Sequence, residues 1–312
     1  MAEIKMLQDR FSGGVYPTVP PNWGADFTKT IRYDTYDFIE PTRRSHCAGK
    51  AVLITGGSKG IGLGIAVSYA KAGASHIAIT SRSESGVSAV VAEIQKAATE
   101  AAREAPDVVA LTMDVTDSAS VKKAALELES RFGRLDILIS NAGFLAHYDN
   151  ILDGDEDEWW TSFDVNLRGS YLVAKAFLPL LLKSGGDKTI IAISSTGALH
   201  FHKGGSSYQI SKFALLRLME FLMAEYADQG LLTYSVHPGG VATDLASRLP
   251  QDTQSWLKCT PALGGDTITF LTSERQEWLA GRYLTAMWDM EEFFKMKGEI
   301  VERDLLKMRM TF

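Results

Sequence analysis

Residues 51–64 read AVLITGGSKGIGLG, and the reading of this stretch decides the fold. AVLIT is a short apolar run of the kind that lies buried inside a sheet. It passes without a spacer into TGGSKGIGLG, residues 55–64, where Gly56, Gly60 and Gly62 allow a tight turn, close backbone approach to a phosphate and close helix packing. The helix that follows offers backbone donors and its positive dipole end to a pyrophosphate. A glycine turn can also serve strand-to-helix packing alone, and both readings stand at this point. A Walker-type loop is excluded because no Gly-Lys-Ser/Thr is present.

Outward from this stretch, similar runs recur at 76–80, 108–113, 135–140, 189–194, 231–237 and 282–286, with helical patterns in most gaps. Between 87 and 102, for example, Val87, Val90, Val91, Ile94, Ala97 and Ala98 form a helical stripe. Strands alternating with helices predict right-handed βαβ units and a parallel sheet covered on both faces. The expected fold is α/β: a single doubly wound Rossmann domain with a parallel seven-stranded sheet, spanning 47–288. Residues 1–46 hold Pro17, Pro20, Pro21 and Pro41 among aromatics from Phe11 through Trp23 to Phe38, which predicts an arm packed on the body or a partner subunit. Residues 289–312 form a C-terminal extension whose Phe293, Phe294, Ile300, Leu305 and Leu306 have an amphipathic pattern compatible with docking.

The 312 residues carry a net charge of −6 and no basic block, which argues against a nucleic-acid partner. Cys47 and Cys259 are too few for a disulfide framework. The N-terminus MAEIKMLQDRF has charges where a signal peptide needs an apolar run, and YLVAKAFLPLLL at 171–182 is too short to span a bilayer. A soluble, cytoplasmic protein with no membrane partner is expected.

Cofactor choice in such a fold is made about 20 residues beyond the glycine loop. There the chain reads ITSRS, with Ser81 and Arg82 and no acid until Glu84. Arg82 can pair with a 2′-phosphate, and Lys59 inside the loop can add a second positive charge, so NADP(H) is favoured over NAD. Arg82 as a plain solvated arginine is the other reading.

Residues 207–212 read SYQISK, with Tyr208 and Lys212 one helical turn apart. A nearby ammonium can draw a phenol toward a useful pKa, although Tyr-x-x-x-Lys also arises by chance. Together with the ordered motifs around it, the chain from about Gly49 to Trp288 resembles the short-chain dehydrogenase/reductase family in its Tyr-Lys form. TGGSKGIG, with Gly56, Ser58, Lys59, Gly60, Ile61 and Gly62, looks like the family's cofactor loop. Asp114-Val115 resembles the pair bracketing adenine, and Asn141-Ala142-Gly143 the segment lying along the cofactor. Asn166 in VNLRG matches the active-site asparagine, with Arg168 a weaker candidate cofactor contact. Ser195 precedes Tyr208 by thirteen positions, the family's usual spacing. Pro238-Gly239 and Val241-x-Thr243 resemble the nicotinamide segment.

As the resemblance implies, Tyr208 exchanges a proton with the reacting oxygen, Ser195 orients it, and Lys212 and the oxidised nicotinamide favour the tyrosinate. Asn166 holds a water linking Lys212 to solvent. The implied activity is hydride transfer between NADPH and a ketone or secondary alcohol. Phe144, Leu145, Leu199 and Phe201 predict an apolar or aromatic pocket wall. The two extensions resemble those of fungal members acting on specialised metabolites. A homodimer or homotetramer is inherited from the family, with the helices bearing Asn166 and Tyr208 pairing across subunits. Two further readings stand beside this one: isomerisation, dehydration or cyclisation without net redox, and a non-enzymatic NADP-binding protein. The complete Ser195, Tyr208 and Lys212 set argues against both.

No metal site is expected. LDGDEDEWW at 152–160 alternates Asp153, Asp155 and Asp157 but has Glu158 where an EF-hand loop needs glycine, and acids there suit a helix start. His147, His200 and His202 flank the expected cleft, as polar wall or as readers of a polar substrate group. Leu245–Lys258 is the expected lid, anchored by Trp256.

Overall fold

The computed structural model describes residues 24–83, 85 and 87–310. Residues 1–23 of the N-terminal arm, with Phe11 to Pro21 and Trp23, lie outside the described residues, as does Glu84.

Seven parallel strands form one sheet: β1 Ala51–Ile54, β2 His76–Ser81, β3 Asp107–Thr112, β4 Ile137–Ser140, β5 Thr189–Ile193, β6 Leu232–His237 and β7 Tyr283–Thr285. Their order is β3-β2-β1-β4-β5-β6-β7, a doubly wound Rossmann arrangement. Each expected strand is present, with ends shifted by up to two residues. Alternation along β1 shows why the apolar runs are unbroken. Val52 and Ile54 enter one core with Ile65 of α1 (Gly60–Lys71). Leu53 enters the other, with Leu128 and Phe177. Helix α2 is Val87–Glu100, α3 Ser118–Phe132, α4 Glu156–Phe163, α5 Gly169–Lys183, α6 Ser206–Tyr226 and α7 Pro261–Ser273.

Between α4 and α5, Asp164–Arg168 form a π-helical turn, so Glu156–Lys183 is one continuous 28-residue run. By length and composition this run could cross a bilayer, longer than the 171–182 stretch alone implies. Its apolar stripe packs inside the protein instead, with Val173, Phe177 and Leu181 fully buried.

The chain ends meet beyond β7. Short helices α8 (Met290–Lys295) and α9 (Lys297–Glu302) bury Phe293 and Ile300 in the main core. The described part of the arm lies across them: Ile31 makes an antiparallel bridge to Trp288, and Phe27 packs on Trp288 with ring centroids 4.9 Å apart. Arg32 pairs with Asp289 at 2.6 Å, and Glu292 accepts hydrogen bonds from the Lys29 and Thr30 backbones and the Thr30 hydroxyl. The amphipathic tail therefore docks as its pattern predicts, and residues 24–46 pack on the body.

Candidate active site

The carboxyl ends of β1, β4, β5 and β6 bring the candidate residues to one cleft. At the glycine loop the fit is tight enough to explain the residue choice. A Cβ at Gly62 would lie 2.3 Å from the Gly56 carbonyl oxygen, and one at Gly56, whose φ is +63°, 3.2 Å from the Ala142 backbone. Gly60 has φ +56° and faces Thr243 across the cleft, a Cβ there lying 3.2 Å from the Thr243 methyl. Lys59, the N-cap of α1, makes no side-chain cap, which leaves the first-turn N–H groups to whatever enters the loop. Half-buried Ser58 lines the turn, and Ile61 packs into the core beneath it.

Asn141 ties this loop to β4. Its Nδ2 donates to the carbonyls of Thr55 (2.8 Å) and Gly56 (3.2 Å), while the N–H groups of Asn141 and Ala142 donate to the Thr55 hydroxyl at 2.9 and 3.0 Å. Thr80 accepts from the Gly56 N–H at 3.1 Å. Thr55 and Thr80 are absent from the sequence-level set; their one signal is a hydroxyl at the carboxyl end of an apolar run.

At the carboxyl end of the second strand, Ser81 terminates β2 and Arg82 is exposed. The Asp114 carboxylate accepts from the N–H and hydroxyl of Thr116 at 2.8 and 2.7 Å, which holds its pKa below the usual range, with Arg82 adding to the effect. Val115 is buried against Gly169, where a Cβ would come within 2.8 Å of it. Arg168 donates to the Thr116 carbonyl at 2.9 Å and so clamps this loop. Lys59 is paired with Asp244 at 2.6 Å, both side chains more than 70% exposed. Such a pair is weakly held and exchanges readily with other anions.

The candidate residues Ser195, Tyr208 and Lys212 lie where α6 faces β5. Lys212 is 4% exposed; its ammonium donates to the Ile193 carbonyl at 2.8 Å and sits 5.7 Å from the centre of the Tyr208 ring. Burial lowers its pKa to about 8. Burial pushes the Tyr208 phenol up, and a hydrogen bond with Ser195 pulls it back. Within the protein alone the balance on Tyr208 is therefore upward. The Ser195 hydroxyl also accepts from the Gly197 N–H at 3.0 Å, which fixes its orientation.

Asn166 is fully buried in the π-helical turn, where the extra residue per turn turns its side chain inward. Its Oδ1 accepts from the Phe144 N–H at 2.8 Å; its Nδ2 donates to the Phe144 carbonyl and the Ser211 hydroxyl, both at 2.9 Å. The Trp159–Ser206 and Ser162–Ser207 hydrogen bonds continue this stitching between α4 and α6. A Cβ at Gly143 would lie 3.4 Å from Asn166 Oδ1 and 3.6 Å from Lys212 Nζ, which places the Asn141–Gly143 segment beside the ammonium.

Pro238, Gly239 and Val241 follow β6. Gly239 has φ +97°, and a Cβ there would press on the Cys259 sulfur at 2.8 Å. The lid region contains two 3₁₀ turns, Ala246–Arg248 and Gln251–Trp256. Trp256 meets the His200 ring edge-on at 6.2 Å, but the deepest lid side chain is Thr253, 2% exposed.

The three histidines have separate employments. His200 is buried against Gln209, and burial lowers its pKa to about 4, so it is neutral. His202 faces Asp252 of the lid at 3.6 Å. His147 lies 2.8 Å from Glu158, whose other oxygen takes the Arg248 guanidinium at 2.5 Å. Arg248 also donates to the Leu145 carbonyl at 3.1 Å and lies over the Phe144 ring. Of the acids at 152–160, Asp155 caps α4 and Glu158 takes the Arg248 guanidinium of the 245–258 segment. Among the described residues no three His, Cys, Asp or Glu side chains converge as a metal site.

Comparison with known proteins bears on family and fold. The family described as short chain dehydrogenase matches residues 50–254. The short chain dehydrogenase mpl6 of Monascus purpureus is 45% identical over 293 residues, covering 94% of this chain and 99% of the relative. The short chain dehydrogenase pigC of Monascus ruber is 43% identical over 92% of this chain and 94% of its own. Among solved structures, a short-chain dehydrogenase/reductase from Mycobacterium marinum superposes with TM-score 0.70 at 25% identity, covering 80% of this chain and 97% of its own. A 3-ketoacyl-(acyl-carrier-protein) reductase from Brucella melitensis complexed with NADH gives 0.68 at 26%, covering 77% and 97%.

Proposed function

The chain belongs to the short-chain dehydrogenase family of oxidoreductases, and from that premise we propose that it transfers a hydride between NADPH and a ketone or secondary alcohol on an apolar or aromatic substrate. The observation that carries the reading is the convergence of Ser195, Tyr208, Lys212 and Asn166 in one cleft beside a glycine loop that has no room for a Cβ.

In this reading the nucleotide's phosphates lie on the first turn of α1, held by Gly56, Ser58, Lys59, Gly60, Ile61 and Gly62. Asp114 and Val115 border the adenine, Asn141 to Gly143 run along the cofactor, and Pro238 to Thr243 flank its nicotinamide end. The bound nicotinamide supplies the hydride and, when oxidised, the positive charge that offsets burial of the Tyr208 phenol. Tyr208 holds the proton exchanged with the reacting oxygen, and Ser195, steadied by Gly197, donates a hydrogen bond to that oxygen. Lys212, with a pKa near operating pH, passes protons to Tyr208. Asn166 fixes Phe144 and the start of α6, and so the spacing of Tyr208 from the opposite wall.

NADPH rather than NADH is favoured by Arg82 at the end of β2 and by Lys59, whose exposed pairing with Asp244 can give way to a 2′-phosphate. The proposed arrangement is a cytoplasmic homo-oligomer of one catalytic domain (47–288) with its two extensions. Exposed Trp160, Tyr171, Phe213 and Phe221 on α4, α5 and α6 support a subunit contact along those helices.

The test is cofactor oxidation against a panel of alicyclic and aromatic ketones. Tyr208→Phe loses about 10²–10⁴ in turnover while still binding NADPH; undiminished turnover refutes the assignment. Arg82→Asp shifts preference toward NADH, and an unchanged preference refutes the cofactor choice.

A further inference from the structure

The loop between β4 and α4 is pinned at three of its residues. Phe144 is held on both backbone groups by Asn166, Leu145 by Arg248, and His147 by Glu158. The Tyr148 backbone lies against the turn leading into α6, so closely that a Cβ at Gly204 would be 2.6 Å from its carbonyl. The ring crosses that turn as well: its Cε1 would be 2.8 Å from a Cβ at Gly205, and it packs edge-on against His202 at 5.2 Å. Residues 204 and 205 are glycines because Tyr148 occupies the space of their side chains.

The half-buried Tyr148 ring therefore has a fixed position against Gly205, three residues before Tyr208. Its hydroxyl makes no hydrogen bond to another described residue and is not closed off in the interior, so it is open to whatever enters beside it. Gly205, against which the ring lies, is the N-cap of α6, so the ring borders the first turn that carries Tyr208. Nearby His200 is neutral, and Phe144 is shielded by Arg248.

We infer that Tyr148 is a substrate-recognition residue: its hydroxyl hydrogen-bonds a second oxygen function set close to the reacting carbonyl. This selects dioxygenated substrates of the β-dicarbonyl or β-hydroxyketone class over simple ketones. The inference rests on the oxidoreductase reading of the same site. A site built around such a hydrogen bond discriminates because the phenol is left unpaired when the second oxygen is missing.

Benzoylacetone and butyrophenone have the same length and differ in one ketone oxygen. Binding of each is titrated by tryptophan fluorescence with NADPH present, and NADPH oxidation is followed in parallel. Tyr148→Phe keeps the ring that packs on His202 and the 204–205 turn, so the fold is preserved. The expected result is tighter wild-type binding of benzoylacetone, an about 5–10-fold loss of that affinity and of kcat/KM in Tyr148→Phe, and less than about 2-fold change on butyrophenone. If wild type binds the two equally or binds neither, or if the variant weakens both alike or neither, the assignment is overturned. Failure of the oxidoreductase reading shows separately, as binding without NADPH oxidation by wild type; the titration then still decides the role of Tyr148.

Discussion

Replacing Lys212 with methionine separates the electrostatics of the site from its architecture. In the folded protein the ammonium is buried and its pKa falls from 10.5 to about 8. Between those values the unfolded chain binds a proton that the folded chain does not, so wild-type stability rises with pH through this window. The desolvation penalty is present in full below pH ~8 and gone above ~10.5. At about 1.36 kcal/mol per pKa unit the whole window is worth about 3 kcal/mol, and the span from pH 7 to 10 about 2.5 kcal/mol. Methionine fills similar space and does not titrate. Other groups, including the tyrosines, titrate in both proteins and cancel in the difference. Urea unfolding of the cofactor-free protein at steps from pH 7 to 10 should show the wild-type-minus-variant stability climbing by about 2–3 kcal/mol. Parallel curves would refute the buried, depressed ammonium and with it the proposed proton path to Tyr208.

Three further outcomes follow from the geometry. Gly62→Ala, with a Cβ 2.3 Å from a backbone oxygen, should abolish NADPH binding and lower Tm, whereas Gly143→Ala, in ordinary contact at 3.4 and 3.6 Å, should keep its Tm; calorimetry and cofactor titration compare them. Arg248→Ala removes the lid's link to Glu158 and Leu145 and should raise KM several-fold, with Tm within about 2 °C of wild type. Glu292→Gln weakens three hydrogen bonds from the arm, so limited proteolysis should cut near residues 24–36 faster while turnover is retained.

Most of the fold was legible because the strands are buried on both faces: AVLI needs no alternation when Val52 and Leu53 each meet a core. The glycine loop was legible for a similar reason, since steric exclusion leaves one residue type. Local chemistry carried Tyr208 and Lys212, one helical turn apart. What was not legible depends on partners distant in the chain. Glu158 read only as a failed EF-hand position, yet it joins His147 to Arg248, 90 residues away. Nothing local marks Asn166 for a π-helical turn, and nothing near Lys59 announces Asp244. The two sides of Tyr148, its packing on glycines 204 and 205 and its approach to Tyr208, exist only once β4 and β5 are neighbours.

The clasp between the arm and the tail also bears on how the protein is made. Lys29 and Thr30 find their acceptor on Glu292, 263 and 262 positions later, and Arg32 finds Asp289 after 257. During synthesis from the N-terminus, at about 5–20 residues per second, the arm waits on the order of 10–50 s before its receptor leaves the ribosome. Strands β1 to β6 are all made before it, and β7 only shortly before. Docking of the arm therefore has to wait until the chain has been translated through α8.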